Sequence, residues 1–155
     1  MAGVIMSALG GVLIYFLISA INNKKDEREE KRSQEVNELT NQGDEEFDSK
    51  NFTNAVEYYS KALKMDQYNI SALEGIALTY HIMGNYETSK EYIKEYQSLF
   101  PKKLQGSVTM AYLCGHFCYM EGDLEQASNY KKRAIELASG IYKSELDRLN
   151  KLNLY

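Results

Sequence analysis

Apolar residues recur along most of the chain with the spacing of an α-helix, in segments separated by short polar breaks. From Val36 onward each segment has the length of one short helix. Helix-breaking pairs separate several of the segments, as at Gly84-Asn85 and Gly122-Asp123. No run of alternating β-branched residues is bounded by turn signals, which argues against a sheet. The pattern therefore predicts an all-α protein of short helices joined by tight turns.

One set of small and large positions recurs with a period of 34 residues. The small positions of the first and third copies are Gly43, Ala55, Ala62, Gly115, Ala127 and Ala134. The second copy departs from the pattern, with Ala77, Ser89 and the bulky Tyr96 in these places. In the first copy Lys50 replaces the turn glycine. Small residues in phase indicate places where neighbouring helices touch.

This pattern resembles the tetratricopeptide repeat family, whose unit is a pair of antiparallel helices. The resemblance implies a right-handed α-solenoid of about three helix pairs, in which the first helix of each pair lines a concave groove. After Gly140, an apolar stripe predicts a helix that caps the open end of the array. The expected boundaries are 36–69, 70–103 and 108–139 for the repeats, together 36–139, and 140–155 for the capping helix.

The first 21 residues contain no charged side chain. An α-helix of this length is long enough to cross a bilayer. We therefore expect a transmembrane anchor over residues 1–22 and a charged linker or helical stalk over 23–35. A secretory signal peptide is the alternative, since Ile18-Ser19-Ala20 is a passable cleavage site. Basic residues follow the apolar stretch and none precedes it. By the positive-inside rule, the repeats then lie on the cytoplasmic or equivalent side of the membrane, with a short N-terminus across it.

Small residues follow one side of the expected anchor helix. Residues spaced in this way allow a second helix to approach closely, so a transmembrane helix partner is one interpretation. The other is that glycine is common in membrane helices. The residues concerned are Gly3, Ser7, Gly10 and Gly11.

The net charge of −4 gives no concentrated basic face, which argues against a nucleic-acid partner. Cys114 and Cys118 lie four residues apart on one helix, in positions that large apolar residues normally occupy. This spacing suits neither a structural zinc site nor a redox pair, so we interpret both as packing residues. Neither a metal nor another cofactor is expected.

The groove is the candidate binding site. Acidic residues are expected at one end and aromatic or soft ones at the other, which suits a basic amphipathic ligand; the alternative is an ordinary solvated surface. The candidate residues are Asp44, Asp48, Glu74, His81, Tyr112, His116 and Tyr119. Some relatives clamp the C-terminal carboxylate of chaperones with cationic side chains. The matching positions here, which supply no cation, are Thr40, Asp44, Gly75, Thr109 and Leu113.

Neither His81 nor His116 has a serine or carboxylate in a recognisable catalytic relation to it, so we do not expect an enzyme. The leading hypothesis is a membrane-anchored protein–protein interaction module, an adaptor or receptor. This expected architecture resembles that of some mitochondrial outer-membrane receptors, which combine such an anchor with tetratricopeptide helices. The alternative is a structural accessory subunit of a multi-protein membrane complex, in a mitochondrial or other energy-transducing membrane.

Overall fold

The structure, a computed structural model, describes the backbone of residues 2–101 and 107–138, and side chains from residue 18 onward. Within these ranges all regular secondary structure is helical, as the sequence predicted. The six helices are α1 (Ala2–Asp48), α2 (Phe52–Met65), α3 (Ile70–Ile82), α4 (Tyr86–Leu99), α5 (Val108–Met120) and α6 (Leu124–Ala138). The expected capping helix at 140–155 lies outside the described residues.

The helices pack as three consecutive pairs. The C-terminal part of α1 lies against α2, α3 lies against α4, and α5 lies against α6. The first helices of the pairs also contact one another, α1 with α3 and α3 with α5, which joins the pairs into one array. This is the paired arrangement that the 34-residue period predicts.

Local sequence explains where three of these helices begin. Side-chain oxygens of the residues before α3, α5 and α6 accept hydrogen bonds from backbone N–H groups in the first turn: Asn69 from Ala72, Ser107 from Met110, and Asp123 from Gln126. Each bond satisfies a donor that the helix itself leaves unpaired. Side-chain caps of this kind therefore fix the start of α3, α5 and α6.

The turns between the two helices of each pair share one backbone conformation. Lys50, Gly84 and Gly122 all have positive φ, at 64°, 77° and 82°. The chain can reverse tightly there because this region is open to glycine at no steric cost. Lys50 adopts it although it carries a side chain.

The core lies between the helices of each pair and continues from one pair to the next. Tyr59 of α2 is fully buried, and its ring lies where side chains on Gly43 of α1 or Gly75 of α3 would have to go. A Cβ atom on Gly75 would come within 2.4 Å of the ring. The prediction that Gly43 marks a close helix approach is confirmed, and Gly75 marks a second one.

α1 is one continuous helix that runs far beyond the first pair. Residues 20–35 are solvent-exposed, and Val36 is the first of the described side chains of α1 that belongs to the buried core. Among the described residues, none of the helices combines the length and the hydropathy needed to cross a membrane. The side chains of residues 1–17, which include Gly3, Ser7, Gly10 and Gly11, lie outside the described ones.

Candidate functional site

Two acidic residues lie where α1 and α3 approach each other. Asp44 adjoins Gly43, and Glu74 adjoins Gly75, the two glycines that lie against the Tyr59 ring. Both carboxylates are half-buried. The sequence predicts that both residues line one groove, and in the structure each follows or precedes a glycine that lies against the Tyr59 ring.

Each of these carboxylates is close to a buried tyrosine hydroxyl. The Tyr59 hydroxyl donates a hydrogen bond of 2.7 Å to Asp44 Oδ1. Glu74 lies beside Tyr96 of α4, and burial together with this carboxylate raises the pKa of Tyr96 well above its usual value. Tyr96 therefore stays protonated and able to donate a hydrogen bond. The Tyr59 hydroxyl therefore orients the Asp44 carboxylate, and Glu74 lies beside Tyr96.

The repeat pattern does not indicate this role of Tyr59 and Tyr96. Tyr96 occupies a position where the repeat pattern expects a small residue, so it reads as a departure from the pattern. The structure shows that it is a buried ring, packed against Phe100 at a centroid distance of 5.4 Å. The presence of a bulky residue with a hydroxyl group in a small-residue position was the one sequence feature that could have indicated this role.

The two histidines lie between the second and third helix pairs. His81 of α3 and His116 of α5 are only 1% and 8% exposed, so the expectation that they line an open groove needs correction. The reason is the packing of α5 on α3, which brings the ring of Phe117 to 4.8 Å from the ring of His81. Burial, with a smaller contribution from His116, lowers the pKa of His81 to about 4.

The remaining candidate residues are divided between interior and surface. Tyr112 is buried, which also corrects its expected groove-lining position. Asp48 is exposed at the last residue of α1, and Tyr119 is exposed near the end of α5. The rings of Tyr119 and His116 are stacked 6.4 Å apart. The acidic part of the predicted site is therefore accessible, whereas most of the aromatic part belongs to the core.

The positions that match a chaperone-tail clamp are similarly placed. Thr40, Thr109 and Leu113 are buried, Gly75 contacts the Tyr59 ring, and Asp44 carries the opposite charge to the one required. No cation stands at any of these positions. Among the described residues, no group of three or more His, Cys, Asp or Glu side chains is arranged to hold a metal ion.

Comparison with known proteins agrees with this architecture. A tetratricopeptide repeat family model matches residues 39–69 and 70–103, the first two of the three expected repeats. No curated protein matches the sequence. Among solved structures, the fold is similar to the first TPR domain of Spaghetti (RPAP3), bound to the HSP90 peptide SRMEEVD. The TM-score is 0.57 at 19% sequence identity, over 78% of this chain and 92% of that chain.

The prediction of tetratricopeptide repeats is therefore confirmed for the first two of the three expected copies. The chain contains them at residues 39–69 and 70–103, and the pair α5–α6 continues the same helical arrangement. Repeats of this type form modules in which helix pairs build an extended surface.

Proposed function

We propose that this protein is a binding module that receives a basic, amphipathic protein segment on the surface between α1 and α3. The observation that carries the proposal is the pair of half-buried carboxylates, Asp44 and Glu74, held beside buried tyrosines. Oriented carboxylates in a partly desolvated site favour cationic ligands.

Charge distinguishes this proposal from the activity of the structural relative. The peptide in that structure, SRMEEVD, is acidic and belongs to HSP90. An acidic peptide would meet Asp44 and Glu74 here without a compensating cation at the matching positions. We therefore expect this chain to discriminate against such a peptide and to prefer lysine- and arginine-containing segments.

The proposed setting is a membrane surface. The uncharged stretch over residues 1–21 and the basic residues after it support a single-pass anchor with the repeats on the cytoplasmic or equivalent side. The exposed part of α1 would then act as a helical stalk between the anchor and the repeats. A mitochondrial membrane is one such setting.

A direct test measures fluorescence anisotropy of labelled peptides with the full chain in mild detergent. Two peptides are compared: a basic amphipathic one, and SRMEEVD. We expect the basic peptide to bind more tightly, and the double substitution Asp44→Asn and Glu74→Gln to weaken its binding by roughly tenfold. Both substitutions keep a hydrogen-bond acceptor for the neighbouring tyrosine.

The matched control is the double substitution Glu91→Gln and Glu95→Gln. Both residues are exposed on α4, so this variant changes the net charge equally but leaves the α1–α3 surface intact. Equal effects of the two double variants, or tighter binding of SRMEEVD, would refute the proposed site.

A second candidate function is a structural subunit of a membrane complex. The observation that favours it is the continuity of α1, a single helix of 47 residues from Ala2 to Asp48 that would couple the repeats to the anchor. Small residues on the expected anchor, Gly3, Ser7, Gly10 and Gly11, are compatible with a helix partner. Purification in mild detergent decides between the two, because a fixed stoichiometric set of co-purifying chains supports the subunit.

A further inference from the structure

Exposed apolar side chains concentrate at the turns of the second and third helix pairs. Met83 is the residue after α3, and Tyr86 is the first residue of α4. Met120 ends α5, and Leu124 begins α6. Each exposes a third or more of its surface, Leu124 as much as 62%. We refer to Met83, Tyr86, Met120 and Leu124 as the turn-edge patch.

The two turns are built alike, which explains why both present apolar groups outward. Gly84 and Gly122 have positive φ and face open space, and each is followed by a polar cap residue and then by the exposed residue that starts the next helix. Tyr86 and Leu124 occupy the equivalent position of the two turns, and Met83 and Met120 lie one and two residues before the turn glycine.

Contacts between the pairs hold the two turns beside each other. The Tyr86 ring lies 6.1 Å from the ring of Phe117 on α5. The ammonium of Lys90 on α4 forms a salt bridge of 2.8 Å with the carboxylate of Glu121, at the end of α5. The same ammonium lies 5.0 Å from the centre of the Phe117 ring. The first turn of the array is also adjacent, because Met83 and residues 50–54 line a common shallow cleft. The patch is therefore preformed along one edge of the domain.

The charges around this edge are mainly acidic. Glu87, Asp123 and Glu125 are exposed in the same turns, and Glu121 is the partner of Lys90. An apolar strip with an acidic border is complementary to a helix that has one apolar face flanked by lysine or arginine. An anionic lipid surface has the wrong charge for this border.

We propose that the turn-edge patch is a second docking surface, which binds a basic amphipathic helix of a partner protein. It is distinct from the surface between α1 and α3, because it lies at the helix ends. α1 reaches this edge at Asp48, and Ile18 lies about 45 Å away along the same helix. The partner therefore approaches from the end of the domain opposite to the N-terminal part of α1.

The test uses a labelled amphipathic peptide of leucine and lysine, with a scrambled peptide of the same composition. All measurements are made on the full chain in mild detergent carrying Asp44→Asn and Glu74→Gln, so that the proposed α1–α3 site contributes little. We expect Met120→Gln with Leu124→Gln to weaken binding by roughly tenfold, because two exposed anchors lose their apolar contacts. Neutralising the two carboxylates with Glu87→Gln and Asp123→Asn should weaken peptide binding further and reduce its salt dependence.

The control is Ile135→Gln, which removes an exposed apolar residue of α6 outside the patch. The residues substituted in the patch and in the control are exposed, and Asn at position 123 can still cap α6, so these changes retain the fold. Four results would overturn the proposal: no binding in this background, an equal loss with Ile135→Gln, equal binding of the scrambled peptide, or binding of anionic vesicles that depends on Met120 and Leu124. Concentration-dependent dimers that the patch variants abolish would instead assign the surface to a second copy of the chain.

Discussion

The Nε2 atom of His81 lies 2.6 Å from the Nδ1 atom of His116, which joins the second and third helix pairs by a buried hydrogen bond. Only one of these two nitrogens can carry the proton. Nδ1 of His81 is buried and has no hydrogen-bond partner in the described part of the chain. A lone pair is less costly there than an unpaired N–H, so the arrangement favours a neutral His81 that donates through Nε2.

This pair makes stability depend on pH. The pKa of His81 is about 4 in the folded protein, against about 6.5 when unfolded, so the unfolded state binds the proton first. Neutral His81 makes its full contribution to the free energy of unfolding above pH 6.5. This contribution is lost as the pH falls towards 4, which lowers the free energy of unfolding by about 3 kcal/mol. Urea unfolding of the wild type and His81→Gln between pH 7 and pH 4 measures it. The variant should lose less stability over this range; parallel curves would contradict the assignment.

The second prediction concerns the glycines around Tyr59. Gly75→Ala places a methyl group 2.4 Å from a ring that is fully buried and bonded to Asp44, so the ring cannot easily yield. The gain in helix propensity, about 1 kcal/mol, does not offset overpacking of about 1–3 kcal/mol. We expect a net loss of stability on thermal unfolding.

Two comparisons make this test specific. Ser71→Ala, at an exposed position of the same helix, should be neutral or stabilising. In a Tyr59→Leu background the penalty of Gly75→Ala should shrink, because the smaller side chain leaves room for the methyl group. An undiminished penalty in that background would show that the ring is not the cause.

The repeat architecture was predictable because it depends on local signals that act in phase. Turn glycines such as Gly84 and Gly122, and small residues such as Ala55 and Ala62, each specify a backbone conformation or a close contact. The 34-residue spacing then identifies their common unit. The family model matches two consecutive copies of this unit, at residues 39–69 and 70–103.

Which side chains are accessible was harder to predict. His81, Tyr112 and His116 occupy positions expected to face the groove, yet all three are buried. Exposure at the end of a short array depends on how closely particular neighbouring rings pack, as Phe117 does on His81, and a repeat pattern contains no such information. The acidic residues Asp44 and Glu74 remained accessible because charged groups resist burial.

The third prediction concerns Lys50, which replaces the glycine of the other two turns. Its φ of 64° matches those of Gly84 and Gly122, a conformation that costs a residue with a side chain roughly 1 kcal/mol. Lys50→Gly should relieve this strain and raise the free energy of unfolding by about 0.5–1 kcal/mol, measured by urea titration. Lys50→Ala, which removes the charge but keeps a Cβ atom, should give no such gain; an equal gain would point to charge instead.

The fourth prediction tests whether the cysteines are packing residues. Cys114 is half-buried against the core, and its burial, together with the neighbouring Cys118, raises the pKa of its thiol to about 11. Since the thiolate is the reactive form, Cys114 should react with iodoacetamide on the order of a hundredfold more slowly at pH 8 than an ordinary cysteine. Labelling of Cys118→Ser followed by mass spectrometry isolates this rate, and the same variant unfolded in guanidinium provides the reference. Equal rates in the folded and unfolded protein would show that Cys114 is accessible and would contradict the packing interpretation.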